Sequence, residues 1–186
     1  MVEFIEDSHT YLVDGMIKHS VTELVNWVLK TDFSGIPPKV LERKAQYGTD
    51  VHQLIQAHEC GMTDKELSLM RIDPNQKAAV HAYAKLKAKH KFKVKSMEQI
   101  VTDGRICGRY DILTERGELI DIKTTYRLNT EYLSWQLGLY YFLMGVRRKY
   151  GFVMWLPKQT DAQFIRIEVK THRECEELIN AFLHSH

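Results

Sequence analysis

The chain has 186 residues, with 26 lysines and arginines against 24 aspartates and glutamates, so its net charge is only +2. Hydrophobic residues make up 44% and charged residues 27%, ordinary values for a globular protein, and the length suits one domain with a good core better than two. The balanced charge excludes binding through bulk charge, so any nucleic-acid contact must be a local patch, and three scattered cysteines exclude a disulfide framework and a cysteine metal cluster and fit a reducing cytosol.

The opening stretch from Met1 to Asp7 has neither a basic region nor a long apolar run, so no signal peptide is expected, and nothing later approaches the length of a membrane span. Residues 4–18 read as a small hairpin, with Asp14-Gly15 as its turn pair. Ser20-Val21-Thr22-Glu23 is a capping box that opens a helix to about Lys30. Pro37-Pro38 breaks the chain, and a helical pattern then runs from Lys39 to about His58. Gly48 lies inside it at a cost of about 1 kcal/mol relative to alanine, which calls for a reason such as close approach of backbone or ligand. A short helical piece spans 63–70, and Asp73 caps a longer helix to about His90.

Residues 92–101, 105–113 and 119–123 read as three strands joined by the turns Asp103-Gly104 and Glu115-Arg116-Gly117-Glu118, an antiparallel meander. Asn129 caps a helix from Thr130 to about Arg148. Two more strands are expected at 151–156 and 164–169, and Thr171-His172-Arg173-Glu174 is a second capping box, opening a last helix to about Leu183. The order is that of a single α/β domain over 1–186, with a hairpin and helix in 1–35 and a mixed central sheet in 92–170 flanked by helices.

The chemistry concentrates between Gly108 and Tyr140. Leu119-Ile120-Asp121-Ile122-Lys123 alternates with period two, so Asp121 and Lys123 share one strand face and Ile120 and Ile122 the other. Hairpin pairing with the preceding strand can bring Asp111 to the same point. Two carboxylates and a lysine at one spot suit a hard divalent cation beside a phosphate. The strand around them is apolar, which argues for burial, and buried charges are costly unless paired or metal-bound.

Other candidates carry a bland alternative. Gln136 and Tyr140, four apart on one helix face with Tyr132 and Leu143, form either a core stripe or a helix laid over the site. His52, beside Val51 and Ile55, is either packed or a ligand. Lys91, Lys93 and Lys95 share a strand face, either as a solvated edge or as a track for DNA phosphates. Glu98 is an extra acid near the metal or simply a surface or paired glutamate. No helix rich in Arg, Asn and Gln stands out as a reader of base edges.

These residues resemble the PD-(D/E)XK nuclease superfamily, and within it the RecB-like and phage-type exonucleases. Gly108-Arg109-Tyr110-Asp111 is similar to the Gly-x-x-Asp motif, Asp121-Ile122-Lys123 to (D/E)XK, and Gln136-Leu137-Gly138-Leu139-Tyr140 to QxxxY. Gly48-Thr49-Asp50-Val51-His52 resembles the upstream glycine-to-histidine motif, and the opening with His9-Thr10-Tyr11 looks like small viral members. Tyr110 stands where the superfamily name has proline, the four-cysteine iron–sulfur cluster of some relatives has no ligands here, and no ATP-binding Gly-x-x-x-x-Gly-Lys run occurs.

The resemblance implies a restriction-endonuclease-like fold and a cytoplasmic DNA exonuclease of a bacterial or phage-infected cell, serving recombination, repair or replication, with a single-strand annealing or recombination protein as a partner. A structure-specific or nicking endonuclease, or a catalytically idle DNA-binding or inhibitor domain, is the rival reading. By resemblance, Asp111, Asp121 and the Ile122 carbonyl bind Mg²⁺ or Mn²⁺ with His52 as a further ligand. Lys123 orients the attacking water, and Gln136 and Tyr140 position the lysine and the cut strand. The His52 ring is then expected within a metal radius or one water of the Asp111 carboxylate, and DNA ends are expected to be preferred to closed circles.

Overall fold

The computed structural model describes residues 2–5 and 10–186, so the stretch containing Glu6, Asp7 and His9 lies outside the described residues. In chain order the elements are β1 (Val2–Ile5), β2 (Thr10–Val13), β3 (Met16–Ser20), α1 (Val21–Val28), α2 (Pro38–Glu59), α3 (Asp64–Leu69) and α4 (Pro74–His90). There follow β4 (Val94–Thr102), β5 (Ile106–Thr114), β6 (Leu119–Lys123), α5 (Thr130–Leu143), β7 (Tyr150–Trp155), β8 (Gln163–Glu168) and α6 (His172–Ser185).

Local chemistry sets most of these boundaries. Reciprocal capping boxes open α1 (Ser20 with Glu23), α3 (Thr63 with Glu66), α4 (Asp73 with Gln76) and α6 (Thr171 with Glu174), each satisfying two otherwise orphaned amide donors. Asp14 and Gly15 both take positive φ, 50° and 77°, the requirement of the tight turn between β2 and β3. Two expectations fail at the backbone. α5 stops at Leu143 rather than near Arg148, because Gly145 turns left-handed (φ 66°) and the Val146 amide donates back to the Tyr141 carbonyl at 3.0 Å. The three lysines do not form one strand face: Lys91 caps α4 in the left-handed region, Lys93 precedes β4, and Lys95 falls in a register shift between Val94 and Ser96.

The eight strands form one mixed sheet in the order β1-β2-β3-β5-β6-β7-β8, with β4 on the other edge of β5. The meander β4-β5-β6 is antiparallel, while β3 joins β5 and β6 joins β7 in parallel. On one face α1, α5 and α6 cover a core that includes Val25, Leu137, Leu119, Val153 and Ile179. On the other, α2, α3 and α4 cover Ile55, Leu67, Tyr83, Ile112, Ile120 and Ile122. Each such aliphatic side chain contributes about 1.5–3 kcal/mol on burial, so the alternation of β6 is what anchors it between the two helical layers.

The pairing of β5 places the site. Cys107 pairs with Ser20 of β3 on one edge and Thr102 of β4 on the other, and Ile112 pairs with Ile120 of β6 and Met97 of β4. β3 and β6 therefore share an edge of β5 at opposite ends. Between them, among the described residues, Gly108, Arg109, Tyr110 and Asp111 have no strand partner on that edge. The sheet is split there, and both helical layers reach the split.

Candidate active site

Asp111 and Asp121 stand at the split. The β5–β6 ladder ends at the Ile112–Ile120 pair, and the Ile122 amide donates instead to the Asp111 carboxylate at 2.6 Å. Asp121 points to the α5 side and is 2% exposed. Lys123 Nζ donates to Asp121 Oδ1 at 2.9 Å and lies 2.8 Å from Oδ2. The second contact is an ion pair without hydrogen-bond geometry, so the buried Oδ2 keeps an open lone pair. Burial pushes the Asp121 carboxyl up to about 6, against the pull of Lys123. Burial opposes the charge on Lys123, but Asp121 and Asp111 outweigh it and hold its pKa above the ordinary lysine value.

From α5, Gln136 Oε1 accepts from Lys123 Nζ at 3.2 Å, and Gln136 Nε2 donates to the Tyr140 hydroxyl at 3.2 Å. Tyr140 thus touches the lysine through Gln136, and burial raises its phenol well above the usual value. Its ring explains the glycine of Gly-x-x-Asp. A Cβ on Gly108 would sit 2.6 Å from Tyr140 Cε1 and 2.8 Å from Val21 Cγ2, closer than any side chain permits. Gly48 is different: a Cβ there meets only Thr124 Oγ1 at 3.5 Å, so no protein neighbour demands a glycine, and the position faces open cleft.

From α2, His52 enters the split. Its Nε2 lies 3.1 Å from the Ile122 carbonyl, and its Nδ1 lies 3.3 Å from Glu98 Oε1 and 3.7 Å from Asp111 Oδ1. Burial opposes the imidazolium, but Asp111 and Glu98 raise its pKa to about 9. A protonated ring then holds three oxygens together. The ring thus lies on the same side of the split as the Asp111 carboxylate, not on the opposite surface.

Glu98 and Arg109 are the residues that sequence reading undervalued. Glu98 sits opposite Asp111 on adjacent strands, between the Met97–Ile112 and Gln99–Tyr110 pairs, and takes φ 50° inside a strand. A non-glycine residue there is strained, and such strain concentrates at functional sites. Arg109 Nε pairs with Glu98 Oε2 at 3.0 Å, and its guanidinium lies 4.6 Å from the Phe4 ring centroid. No sequence signal marks that backbone conformation. Only the register of β4 on β5 could have singled Glu98 out.

His52, Glu98 and Asp111 offer ligand atoms within 4.8 Å of one another and could hold a metal ion. Glu98 and Asp111 stand opposite across strands with the His52 ring between them, a place that a divalent cation could take instead of the imidazole proton, and the open lone pair of Asp121 adds a donor nearby. The group fits a divalent cation. It opens on a cleft of about 890 Å³ walled by α2 residues that include Glu42, Gln46, Thr49, Gln53 and Gln56, with Phe4, Tyr11 and Arg109 also lining it. Gln46, Gln53 and Gln56 thus line the cleft from one helix.

No family model matches the chain, and no curated protein does. Among solved structures, it is similar to an alkaline exonuclease (LHK-Exo) from Laribacter hongkongensis, 16% identical, with a TM-score of 0.52 over 90% of this chain and 87% of that one. The same enzyme in complex with dAMP gives the same figures: TM-score 0.52, 16% identity, and coverage of 90% and 87%. The likeness is one of fold and covers most of this chain, whose architecture is an eight-stranded mixed sheet flanked by helices. No helix among the described residues is long and apolar enough to cross a membrane.

Proposed function

We propose that this chain is a divalent-metal-dependent deoxyribonuclease of the PD-(D/E)XK superfamily that degrades DNA from ends. The observation that carries the reading is the meeting of Asp111, Asp121, Lys123, Glu98 and His52 at one split in a sheet of this fold. Its architecture is that of a known exonuclease, which supports the same class. The chain acts as one domain over 1–186.

Asp111, Asp121, Glu98 and the Ile122 carbonyl would be the oxygen donors and His52, its proton displaced by the metal, the nitrogen donor, a set suited to Mg²⁺ or Mn²⁺. A divalent ion held there would supply an acidified water and positive charge beside the scissile phosphate. The reaction joins a water oxygen to phosphorus, breaks the P–O bond to the departing sugar, and leaves that oxygen to take a proton from solvent. Lys123 is ion-paired with Asp121, and Asp121 and Asp111 hold its pKa above the ordinary lysine value against burial, so it works as an ammonium. It orients the water and stabilises the charge that develops on the phosphate. Gln136 fixes the lysine, and Tyr140 fixes Gln136.

The deciding experiment compares end-labelled linear DNA with covalently closed DNA of the same sequence, with Mg²⁺, with Mn²⁺ and in excess chelator. Loss of label from linear DNA alone, dependent on metal, is expected. Equal rates on both with discrete internal fragments promote an endonuclease, full activity in chelator removes the metal mechanism, and binding without cutting leaves an idle DNA-binding domain.

A further inference from the structure

We propose that Tyr126 and Arg127, in the loop between β6 and α5, form a platform on which an unpaired base of the substrate stacks beside the cleft. This rests on the nuclease reading and deepens it, because it names the substrate as a single-stranded or frayed segment.

Tyr126 is 65% exposed, beyond Trp27 at 39% and Phe33 at 48%. Exposure of that much ring usually accompanies a mobile loop, but this backbone is tied down. Trp155 Nε1 donates to the Thr125 carbonyl at 2.7 Å, the Thr125 hydroxyl donates to the Arg127 carbonyl at 2.8 Å, and the Leu156 amide donates to the Lys123 carbonyl at 2.7 Å. The ring is presented to solvent on a fixed support. The Arg127 guanidinium lies 5.8 Å from the Tyr126 ring centroid, and Arg127 has no carboxylate partner among the described residues.

The position also fits. β6 and β7 run parallel with Lys123 paired to Trp155, so the loop lies outside the carboxyl ends of two parallel strands, where open α/β sheets bind ligands. It begins one residue after Lys123. Its Thr124 abuts Gly48 of the cleft wall, and Lys44, one turn earlier, is on the same face of α2. Away from the metal and Lys123, the arginine lining the cleft, Arg109, is held by Glu98. A cation beside an exposed aromatic face meets both needs of a nucleotide, one for its phosphate and one for its base. In a duplex both faces of a base are covered by its neighbours, so only an unpaired base can use this ring.

The test uses the full chain and single-stranded DNA, natural or carrying abasic residues in place of the bases next to the cut. Tyr126→Ala should raise KM on natural DNA about tenfold, the scale of one stacked base, and move kcat far less. Tyr126→Trp should restore KM, the abasic DNA should not distinguish Tyr126→Ala from the unaltered chain, and Arg127→Ala should lower the salt slope of binding by about one. An unchanged KM for Tyr126→Ala, or an equal rise on natural and abasic DNA, overturns the platform. If the unaltered chain cuts no DNA, the nuclease reading fails separately. The platform is then read from the anisotropy of a fluorescent oligothymidylate, where unchanged binding by Tyr126→Ala overturns it.

Discussion

Two helices reach the split in β5 from opposite faces of the sheet. α5 is buried along most of its inner length, from Leu133 to Tyr141, and meets the site through a closed chain in which Tyr140 holds Gln136 and Gln136 holds Lys123. α2 buries only Val51, Leu54 and Ile55 and leaves Gln53 and Gln56 facing an open cleft. The first helix is a support whose site-facing polar atoms already have partners. On the second, the cleft wall, His52 and Gln46 are paired, but Gln53 and Gln56 make no side-chain hydrogen bond among the described residues. Substitutions on α5 should therefore act on turnover, and substitutions on the exposed part of α2 on substrate binding.

The largest effect should come from the lysine that α5 holds in place. Lys123→Ala should lower kcat by about 100- to 1,000-fold, as expected for loss of a donor to transition-state charge, while circular dichroism shows the fold retained. Next, Gln136→Leu should lower kcat about tenfold with KM steady, since a misplaced donor weakens the transition state more than the ground state, whereas Gln53→Ala should raise KM and spare kcat. Steady-state kinetics on one linear substrate decide between them, and the same pattern in both variants would erase the distinction between support and wall.

The two glycines sharpen the comparison by stability. Gly108→Ala forces a methyl against Tyr140 and Val21 and should cost about 1–3 kcal/mol, seen as a lower melting temperature. Gly48→Ala has ordinary van der Waals room against Thr124 and should gain up to about 1 kcal/mol from helix propensity, raising it.

The smallest effect concerns His52 in chelator. Asp111 and Glu98 raise its pKa to about 9 from 6.5 despite burial. A raised folded-state pKa means that the protonated ring stabilises the fold fully below pH 6.5 and that this contribution fades as pH rises through 9. The melting temperature in chelator should fall across that window, and His52→Gln should flatten the fall.

Much of this arrangement was legible in the sequence, for identifiable reasons. The period-two pattern of Leu119 to Lys123 and the turn before it dictate that Asp121 and Lys123 share a face near Asp111, and side-chain capping announces where helices start. Helix ends were less legible, because the left-handed turn at Gly145 competes with a pattern that continues past it. Glu98 was only partly legible: the sequence offered it as an extra acid or a paired glutamate, and it is a backbone angle and the register of β4 that set it opposite Asp111. The lysines misled because a register shift at Lys95 breaks the alternation that composition implies.

The shared edge of β5 has a consequence for how the molecule is made. The open stretch from Gly108 to Asp111 exists only when β3 closes one end of it and β6 the other. β6 arrives through a short hairpin, but β3 comes from near the start of the chain, and such distant closures are slow in folding because loop entropy opposes them. Partly folded chains that have the meander but lack β3 have no bounded site. Recovery of activity during refolding should therefore lag behind recovery of strand and helix signals and report the docking of the N-terminal strands.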